Sequence, residues 1–364
     1  MIRRTKVGII GCGNTSSPYF SWLKKQTALD LVACADLDFY RAETKAAQYG
    51  IQALTVIDLL AEKKIEIVVN VTVPKVHHTV NLQIIEAGKH PYCEKPFALS
   101  VEEGRAVLEA AKTRNPALRV GAAPDTFLGG GLQTARKLID EGAIGEPISA
   151  TANMASRGPE SWHPDPEIFY QPGGGPMIDM GPCYLTALVS LLGPIHRVSG
   201  SARASFPHRL VRSEKKLGTK IPVEVPTHYA AVLDFAAGPI ATMTMSFDLA
   251  AHQLPMLEIH GAEGTLSLGD PNTFDGPVSI RRGGEKEWRD IPLLHTENAG
   301  RGMGVVDFAQ ALRQDRPHRA SGEMALHVLE AMLAVQLSSW TDTQVRLQSS
   351  CERPTPLPPG GIEG

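Results

Sequence analysis

The residues with the clearest chemical potential lie in one segment, residues 11–16, with the sequence Gly-Cys-Gly-Asn-Thr-Ser, directly after an apolar run. In a dinucleotide-binding fold, the first glycine permits a tight turn and the second lets a pyrophosphate approach the backbone. The last position needs a small residue so that helix and strand can pack closely, and Ser16 is small without being glycine. The alternative is an ordinary strand-to-helix turn. The predicted cofactor-binding residues of this segment are Gly11, Gly13, Asn14 and Thr15.

One acidic residue, Asp36, follows the second apolar run, at residues 31–35. A carboxylate at this distance after the glycines accepts hydrogen bonds from the ribose hydroxyls of the adenosine. It also repels a 2′-phosphate, so the sequence predicts NAD as the cofactor in preference to NADP, although Arg41 lies nearby in the chain. The alternative interpretation is that Asp36 begins a turn or a helix.

Strand and helix patterns alternate over residues 1–125, which we predict to be a nucleotide-binding domain. Predicted strands cover residues 6–10, 31–36, 65–71, 91–93 and 119–122, and predicted helices cover residues 17–26, 40–49, 56–62, 79–87 and 101–112. Because helices of this length connect successive strands, the pattern predicts a doubly wound parallel sheet of the Rossmann type. Residues 100–103 have the pattern of a capping box and predict a helix start at Ser100.

Residues 126–345 have a different pattern, which predicts an α+β domain for substrate binding and oligomerisation, built on one open, mostly antiparallel sheet. Its β-rich runs alternate polar with apolar residues, and hairpin turns connect them. One helix, predicted at residues 184–192, covers one face of the sheet. The other face is free to pair with another subunit, so we predict a homodimer or a homotetramer. Residues 346–364 are rich in proline and predict a tail that is either loose or lies against a partner.

Composition argues against several classes of function. The net charge of −3 gives no electrostatic basis for binding nucleic acid or an anionic membrane surface. No apolar run approaches the roughly 18 residues needed to cross a bilayer. The five cysteines are scattered without a Cys-x-x-Cys pair, which argues against disulfides and a zinc site and is typical of a reducing compartment. We therefore predict a cytoplasmic protein that holds no metal ion.

Three further segments carry residues suited to chemistry. Thr72, Pro74 and His77 follow one predicted strand. Glu94-Lys95-Pro96 follows the next, so both segments lie at the carboxyl edge of the predicted sheet, where ligands bind. Residues 173–184, with the sequence Gly-Gly-Gly-Pro-Met-Ile-Asp-Met-Gly-Pro-Cys-Tyr, precede the predicted helix of the second domain. In this order the motifs resemble those of the Gfo/Idh/MocA oxidoreductase family, which includes glucose–fructose oxidoreductase and inositol dehydrogenases.

The resemblance implies hydride transfer between a bound nicotinamide and a secondary alcohol carbon of a sugar, a cyclitol or a related polyol. Lys95 is implied to contact both cofactor and substrate and to exchange the proton of the reacting hydroxyl. Glu94 is implied to hold the turn and to contact the ribose. Asp179 is implied to be catalytic and to bind the substrate. The other cofactor-binding residues that the resemblance implies are Thr72, Pro74 and His77.

One position departs from the family pattern, because many members have a histidine four residues after the aspartate and this chain has Cys183 there. A neutral cysteine is a poor substitute for an imidazole base. In one interpretation Lys95 acts with Asp179 alone. In the two other interpretations, the family histidine is replaced by Tyr184 or by His163 from a loop. Cys183 itself is either a substrate contact or a small buried residue at the start of a helix.

The loop at residues 162–171 is a candidate for binding a sugar ring, because aromatic faces stack on C–H groups while polar groups meet the hydroxyls. Trp162 and His163 are its predicted substrate-binding residues, and the alternative is a packed surface loop. Asp125, after the last predicted strand of the first domain, is a further candidate for the substrate pocket. Two alternatives to a dehydrogenase stay open: a redox-neutral glycosidase or lyase that oxidises its sugar transiently, and a non-catalytic protein that senses NAD.

Overall fold

The chain forms two compact units in the computed structural model, which describes residues 4–295 and 299–362. The first unit comprises Met1–Gly130, His295–Leu326 and Pro354–Gly364, and the second comprises Gly131–Leu294 and His327–Arg353. The sequence predicts contiguous domains with boundaries near residues 125 and 345. The structure differs because the chain returns to the first unit twice, and the first return brings an apolar helix against the last strand of that unit's sheet.

The sheet of the first unit has six strands. They are β1 (Thr5–Ile10), β2 (Leu29–Ala35), β3 (Gln52–Leu54), β4 (Ile67–Asn70), β5 (His90–Cys93) and β6 (Gly121–Ala122). Their order is β3-β2-β1-β4-β5-β6, and every neighbouring pair is parallel. All four residues of β4 are buried, as in a strand that is covered on both faces. The predicted doubly wound parallel sheet is confirmed, and the three-residue β3 lies outside the predicted strands.

Five helices connect these strands: α1 (Ser16–Leu23), α2 (Phe39–Tyr49), α3 (Val56–Ala61), α4 (His77–Glu86) and α5 (Val101–Thr113). The predicted start of α5 is confirmed, since the Ser100 hydroxyl accepts a hydrogen bond from the N–H of Glu103 at 3.2 Å. Two buried apolar clusters, one around Leu59 and one around Val107, pack the helices onto the strands. This packing fixes the points at which the loops leave the carboxyl edge of the sheet.

The helix α6 (Gly130–Asp140) belongs to the second unit from its second residue onward, and α7 (Pro176–Leu192) lies in the same unit. The strands of this unit are β7 (Pro147–Ala155), β8 (Ile195–Arg203), β9 (His208–Leu210), β10 (Lys220–Pro222), β11 (His228–Phe235), β12 (Ile240–Ser246), β13 (Leu257–Gly261), β14 (Gly264–Leu268), β15 (Val278–Arg282), β16 (Arg289–Asp290) and β17 (Val345–Arg346). β9 and β10 pair separately, and the others form one sheet of order β16-β15-β14-β13-β7-β12-β11-β8-β17. The mostly antiparallel open sheet is confirmed. β7 and β12 are nevertheless parallel, which differs from the hairpin pattern.

One face of this sheet is covered by α7, which packs against β7, β11 and β12. Side chains alternate along β11, so Tyr229 and Leu233 are buried whereas Val232 is 40% exposed on the opposite face. The alternation seen in the sequence therefore separates a core face from an open face.

The helix predicted at residues 184–192 is longer in the structure and begins at Pro176. Proline suits the first turn of a helix because its φ is fixed near the helical value. It also lacks an N–H, and an N–H at this position would have no partner within the helix. Gly175 precedes it with φ +91°, a conformation that favours glycine. Asp179 and Cys183 consequently lie on a helix and not in the loop before it.

Two further helices lie between β16 and β17 in the chain, α8 (Met303–Gln314) and α9 (Gly322–Thr341). α8 packs against β6 in the first unit. In the second unit, Ser338 of α9 accepts a hydrogen bond from the N–H of Gly200 in β8 at 3.0 Å. Within residues 4–295 and 299–362, no helix is long and apolar enough to cross a membrane.

The proline-rich tail is anchored and not loose. Arg319 donates hydrogen bonds to the carbonyl oxygens of Thr355 at 2.9 Å and Pro356 at 3.0 Å, and Leu357 is buried. Backbone carbonyls of an irregular segment need such partners, and the guanidinium supplies several donors from one side chain. The sequence pattern predicts the irregular backbone correctly but not the residue that holds it.

Candidate active site

The glycine segment forms the turn between β1 and α1. Gly11 has φ +105°, and a Cβ at this position would lie 2.5 Å from the carbonyl oxygen of Val71. Chain neighbours aside, no heavy atom of the described residues lies within 4 Å of a Cβ at Gly13, so the turn is open there. Ser16 is buried and donates its hydroxyl to the carbonyl of Gly13 at 2.6 Å. Serine therefore meets the requirement for a small residue without leaving its hydroxyl unpaired.

Alanine substitutions at the two glycines should separate stability from cofactor affinity. We expect Gly11→Ala to lower the free energy of unfolding by about 2–4 kcal/mol, because its Cβ meets the Val71 carbonyl in a conformation that alanine disfavours. Gly13→Ala should keep the wild-type free energy of unfolding and weaken NADH binding about tenfold, because its methyl fills the open side of the turn. Denaturant unfolding and NADH fluorescence titration measure the two quantities. Wild-type NADH affinity in Gly13→Ala would show that the turn does not approach the cofactor.

Asp36 directly follows β2 and lies beside the glycine turn. One carboxylate oxygen accepts the N–H of Cys12 at 2.7 Å, and the other accepts the N–H of Asp38 at 2.9 Å. Two backbone donors thus orient the carboxylate. Arg41, the nearby cation in the sequence, forms an exposed ion pair with Asp38 at 3.2 Å.

The Glu94-Lys95-Pro96 segment follows β5. The buried Glu94 carboxylate accepts the hydroxyl of Tyr19 at 2.5 Å and the N–H of Lys95 at 3.0 Å. Burial, reinforced by the charge of Glu94, raises the pKa of Tyr19 well above its usual value, so this hydroxyl stays a donor. Glu94 therefore holds the turn that presents the half-buried Lys95, and Tyr19, which the sequence prediction omits, holds Glu94.

Thr72 and His77 lie in the loop after β4 and at the start of α4. Asn70 is fully buried; its oxygen accepts the hydroxyl of Thr72 at 2.7 Å, and its amide donates to the carbonyl of His77 at 3.0 Å. Pro74 begins a short 3-10 turn between the two. The ring nitrogens of His77 face the carbonyl oxygens of Pro96 at 2.7 Å and Thr72 at 3.0 Å. The structure thus joins the Thr72 loop to the Lys95 turn.

Asp125 follows β6 and is fully buried. One of its oxygens accepts the N–H groups of Gly302 at 2.8 Å and Gly304 at 2.9 Å, at the beginning of α8. Burial raises the pKa of this carboxyl above its usual value, although the two hydrogen bonds oppose the shift. Asp125 therefore anchors α8, and its contact with a substrate stays a prediction.

Asp179 and Cys183 lie one turn apart on α7 and share a face of the helix. Asp179 is half-buried. The buried thiol of Cys183 donates to the side-chain oxygen of Asn272 at 3.3 Å, so the Asn272 carboxamide lies beside this thiol. Tyr184 lies five residues after Asp179 and so faces another side of the helix. Its side chain is buried, and burial raises the pKa of its hydroxyl above the usual value.

Trp162 and His163 lie in the loop between β7 and α7. The ring centroids of His163 and Phe169 are 5.0 Å apart, and those of Trp162 and Phe169 are 6.2 Å apart. Nδ1 of His163 accepts the N–H of Asp165 at 3.1 Å, which places the proton of the neutral ring on the other nitrogen. Trp162 is 67% exposed, and its contact with a substrate stays a prediction.

Arg209 of β9 holds the loop that carries this cluster. Its buried guanidinium pairs with Glu160 at 2.6 Å and with Asp248 at 2.7 Å, and it lies over the ring of Tyr170 at 5.5 Å from the centroid. Tyr170 also donates its hydroxyl to Glu160. Glu160 and Asp248 lie 49 and 39 residues from Arg209 in the chain, so no local motif indicates this cluster.

Removing the Arg209 guanidinium should destabilise the second unit strongly. We expect Arg209→Met to lower the free energy of unfolding by about 3–5 kcal/mol, because two buried carboxylates lose their partner. Arg197→Met is the matched control, because Arg197 pairs with Asp234 at 2.8 Å on a partly exposed surface and should contribute less than about 1 kcal/mol. Urea unfolding of both variants makes the comparison. Equal losses of unfolding free energy in the two variants would show that the buried ion pairs stabilise the protein no more than the exposed pair does.

The turn and the neighbouring sheet edge fit a dinucleotide. Gly13 leaves open space, Asn14 and Thr15 are exposed, and the carboxylate of Asp36 lies beside the turn. These residues would hold NAD, which when bound supplies the hydride acceptor for oxidation of an alcohol. In the part of the chain that the structure describes, no group of three or more His, Cys, Asp or Glu side chains is arranged to hold a metal ion.

Comparison with known proteins identifies the family. Residues 5–122 match the oxidoreductase family with an NAD-binding Rossmann fold, and residues 132–267 match the GFO/IDH/MocA C-terminal domain. The chain therefore belongs to the Gfo/Idh/MocA oxidoreductase family. The predicted resemblance and the prediction of NAD as cofactor are confirmed.

Named relatives act on polyols and sugars. Over 153 residues the chain is 31% identical to the inositol 2-dehydrogenase/D-chiro-inositol 3-dehydrogenase of Lactiplantibacillus plantarum, covering 40% of this chain and 42% of that protein. Over 198 residues it is 30% identical to the D-glucoside 3-dehydrogenase of Escherichia coli, covering 52% and 54%. The chain spans about half the length of these and other curated relatives.

A solved structure extends the likeness over the whole fold. Levoglucosan dehydrogenase in complex with NADH and L-sorbose superposes with a TM-score of 0.80 at 22% identity, over 96% of this chain and 100% of that chain. At this identity the superposition shows a shared fold and leaves the substrate to be argued from the site.

Proposed function

We propose that the protein is an NAD-dependent dehydrogenase that interconverts a secondary alcohol and a ketone on a sugar, a cyclitol or a related polyol. The observation that carries the proposal is the placement of Lys95 at the carboxyl edge of the parallel sheet, on a turn fixed by the buried pair of Glu94 and Tyr19. Two relatives named for their action on inositols and D-glucosides support the same substrate class.

Lys95 is the residue to which we assign proton exchange. A secondary alcohol releases its carbinol hydrogen as hydride only as its O–H proton leaves, so a base must lie beside the oxygen. The Lys95 amine accepts this proton during oxidation and returns it during reduction. Because its backbone N–H is bonded to the Glu94 carboxylate, the turn is organised before the substrate arrives.

We assign the orientation of the substrate hydroxyl to Asp179. The next turn of α7 carries the buried thiol of Cys183, which donates to Asn272 from the segment after β14. Neither a thiol nor a carboxamide replaces an imidazole base at neutral pH. Tyr184 is buried with a raised pKa, and Nδ1 of His163 is occupied by a backbone N–H. These observations argue against Tyr184 and His163 as the group that exchanges the proton.

The exposed indole of Trp162 is our proposed stacking surface for the sugar ring. His163 lies next to it with one ring nitrogen engaged, so the other nitrogen has the chemistry to meet a hydroxyl. Together they give the substrate loop one apolar face and one polar group, as a polyol requires.

We further propose that the chain forms a homodimer or a homotetramer through the open face of the nine-stranded sheet. Val232 of β11 and Ile240 of β12 are 40% and 48% exposed on neighbouring strands, and a second copy would bury them. The cytoplasm is our proposed location, because all five cysteines are free thiols.

The test incubates the purified protein with NAD or NADP and a panel of inositols, sugars and glycosides while reduced-nicotinamide absorbance and product mass are followed. Net reduction of NAD with an oxidised product supports the dehydrogenase. A changed product without net reduction would replace it with the redox-neutral glycosidase or lyase, which the cysteine at position 183 keeps open. Tight NADH binding with no change in either signal would point instead to an NAD sensor.

A further inference from the structure

The ring of His77 lies between two loops of the proposed cofactor site yet is 0% exposed. Its Nδ1 lies 2.7 Å from the carbonyl oxygen of Pro96, and its Nε2 lies 3.0 Å from that of Thr72. A carbonyl oxygen can only accept a hydrogen bond, and a neutral imidazole donates from only one of its nitrogens. Both bonds therefore exist together only when the ring is protonated on both nitrogens.

We propose that His77 is a positioning residue whose imidazolium ties the Thr72 loop after β4 to the Pro96 loop after β5, and so fixes the backbone that carries Lys95. This inference rests on the proposed function, which gives the two loops their roles. It differs from the cofactor ligand implied by the sequence, because an enclosed ring with both nitrogens bonded to backbone acts on the loops and not on a bound molecule.

The surroundings of the ring favour its charged form. Burial by itself lowers the pKa of His77, but the neighbouring Cys93 sulfur and the carbonyls of Pro96 and Thr72 outweigh burial and raise the pKa to about 9. Among the described residues, Cys93 of β5 is the titratable side chain that acts on the ring, and its thiol donates to the carbonyl of Glu94 at 3.2 Å. The imidazolium is therefore the main form at neutral pH.

Asn70 of β4 also holds the Thr72 loop in place, and its side chain is not ionisable. Its amide donates to the carbonyl of His77 at 3.0 Å and to the side chain of Asn81 in α4 at 2.9 Å. Its oxygen accepts the N–H and the hydroxyl of Thr72 at 3.3 and 2.7 Å. Thr72 is thus bonded through its N–H, its hydroxyl and its carbonyl, so its loop moves only if His77 or Asn70 releases it.

Nitrogen NMR of the wild-type protein tests the charge directly. With labelled histidine and assignment through backbone correlations, both ring nitrogens of His77 should have protonated shifts at pH 7 and titrate near the pKa of about 9. A neutral ring at pH 7 would overturn the proposal. This readout needs neither substrate nor turnover, so a failure of the proposed dehydrogenase activity leaves it intact, and it decides the matter if no variant folds.

The variant His77→Gln tests the positioning role, because one amide nitrogen cannot reach both carbonyls. We expect kcat to fall about tenfold or more, with a smaller rise in the Kd for NADH, since Lys95 is displaced while the glycine turn is intact. His78→Gln is the control, because the adjacent ring is partly exposed and lies 3.6 Å from Glu103. Wild-type kcat in His77→Gln, or equal losses in both variants, would refute the role.

The dependence of stability on pH gives a third readout. The pKa of His77 is raised from 6.5 to about 9 in the folded protein, so the stabilisation it contributes is complete below pH 6.5 and is lost as the pH rises to 9. The Tm of the wild type should therefore fall across this interval, and the Tm of His77→Gln should fall less. Parallel curves for the two proteins would count against a buried imidazolium.

Discussion

Replacing Lys95 by methionine is expected to lower kcat about a thousandfold while the Kd for NADH stays close to the wild-type value. Methionine fills a similar volume but cannot exchange a proton with the substrate hydroxyl. The turn itself should persist, because Glu94 still accepts the hydroxyl of Tyr19 and the backbone N–H of residue 95. Initial rates with the identified substrate and fluorescence titration with NADH measure the two quantities.

Two controls make this result specific. Lys112→Met removes an exposed lysine of α5 and should leave kcat unchanged. Added methylamine should restore part of the activity of Lys95→Ala, because the shorter side chain leaves space in which a small amine can bind and exchange the proton. If Lys95→Met keeps wild-type turnover, the assignment of proton exchange is wrong. If it loses NADH binding together with turnover, Lys95 serves mainly in cofactor binding.

Asp36→Ser is expected to raise the ratio of kcat/KM with NADP to kcat/KM with NAD by about a hundredfold. The change removes a charged acceptor for the ribose hydroxyls, worth about 1.5–3 kcal/mol, and at the same time removes repulsion of the 2′-phosphate. Each 1.4 kcal/mol corresponds to about a tenfold change, so the two effects together reach the expected ratio. Steady-state kinetics with both cofactors measure it.

Asp30→Ser, at the other end of the same strand, is the matched control and should leave the ratio unchanged. A second variant sharpens the test. Combining Asp36→Ser with Asp38→Ala should favour NADP further, because Arg41 is released from its ion pair at 3.2 Å and can meet the phosphate. An unchanged ratio in Asp36→Ser would show that the carboxylate does not select the cofactor.

The first sheet was predictable because its signals are local. Each of its main strands is a short apolar run followed by a helix signal, as in β4, whose residues are all buried. In the second unit, alternation shows which face a side chain occupies but not which neighbour its strand takes. The strand β12 begins 85 residues after the end of β7. The local pattern therefore does not predict their parallel pairing.

The same distinction between local signals and contacts of distant residues applies to the candidate active site. The turn at Gly11 and the carboxylate at Asp36 lie within one strand–helix–strand unit, so their spacing was informative. Tyr19 meets Glu94 across 75 residues, and Asn272 meets Cys183 across 89, and no local pattern joins either pair. A signal did exist for Asn70, because an amide that ends a run of apolar strand residues needs buried partners.

The central proposal is direct oxidation of a secondary alcohol by bound NAD, and isotope transfer tests it most directly. The measurement uses the substrate found in the panel, with deuterium at the carbon that is oxidised, and determines the mass of the NADH recovered after turnover. Deuterium in the recovered NADH, with a ketone formed in equal amount, is the predicted result. Unlabelled NADH, or consumption of the substrate with no NADH formed, would contradict the proposal.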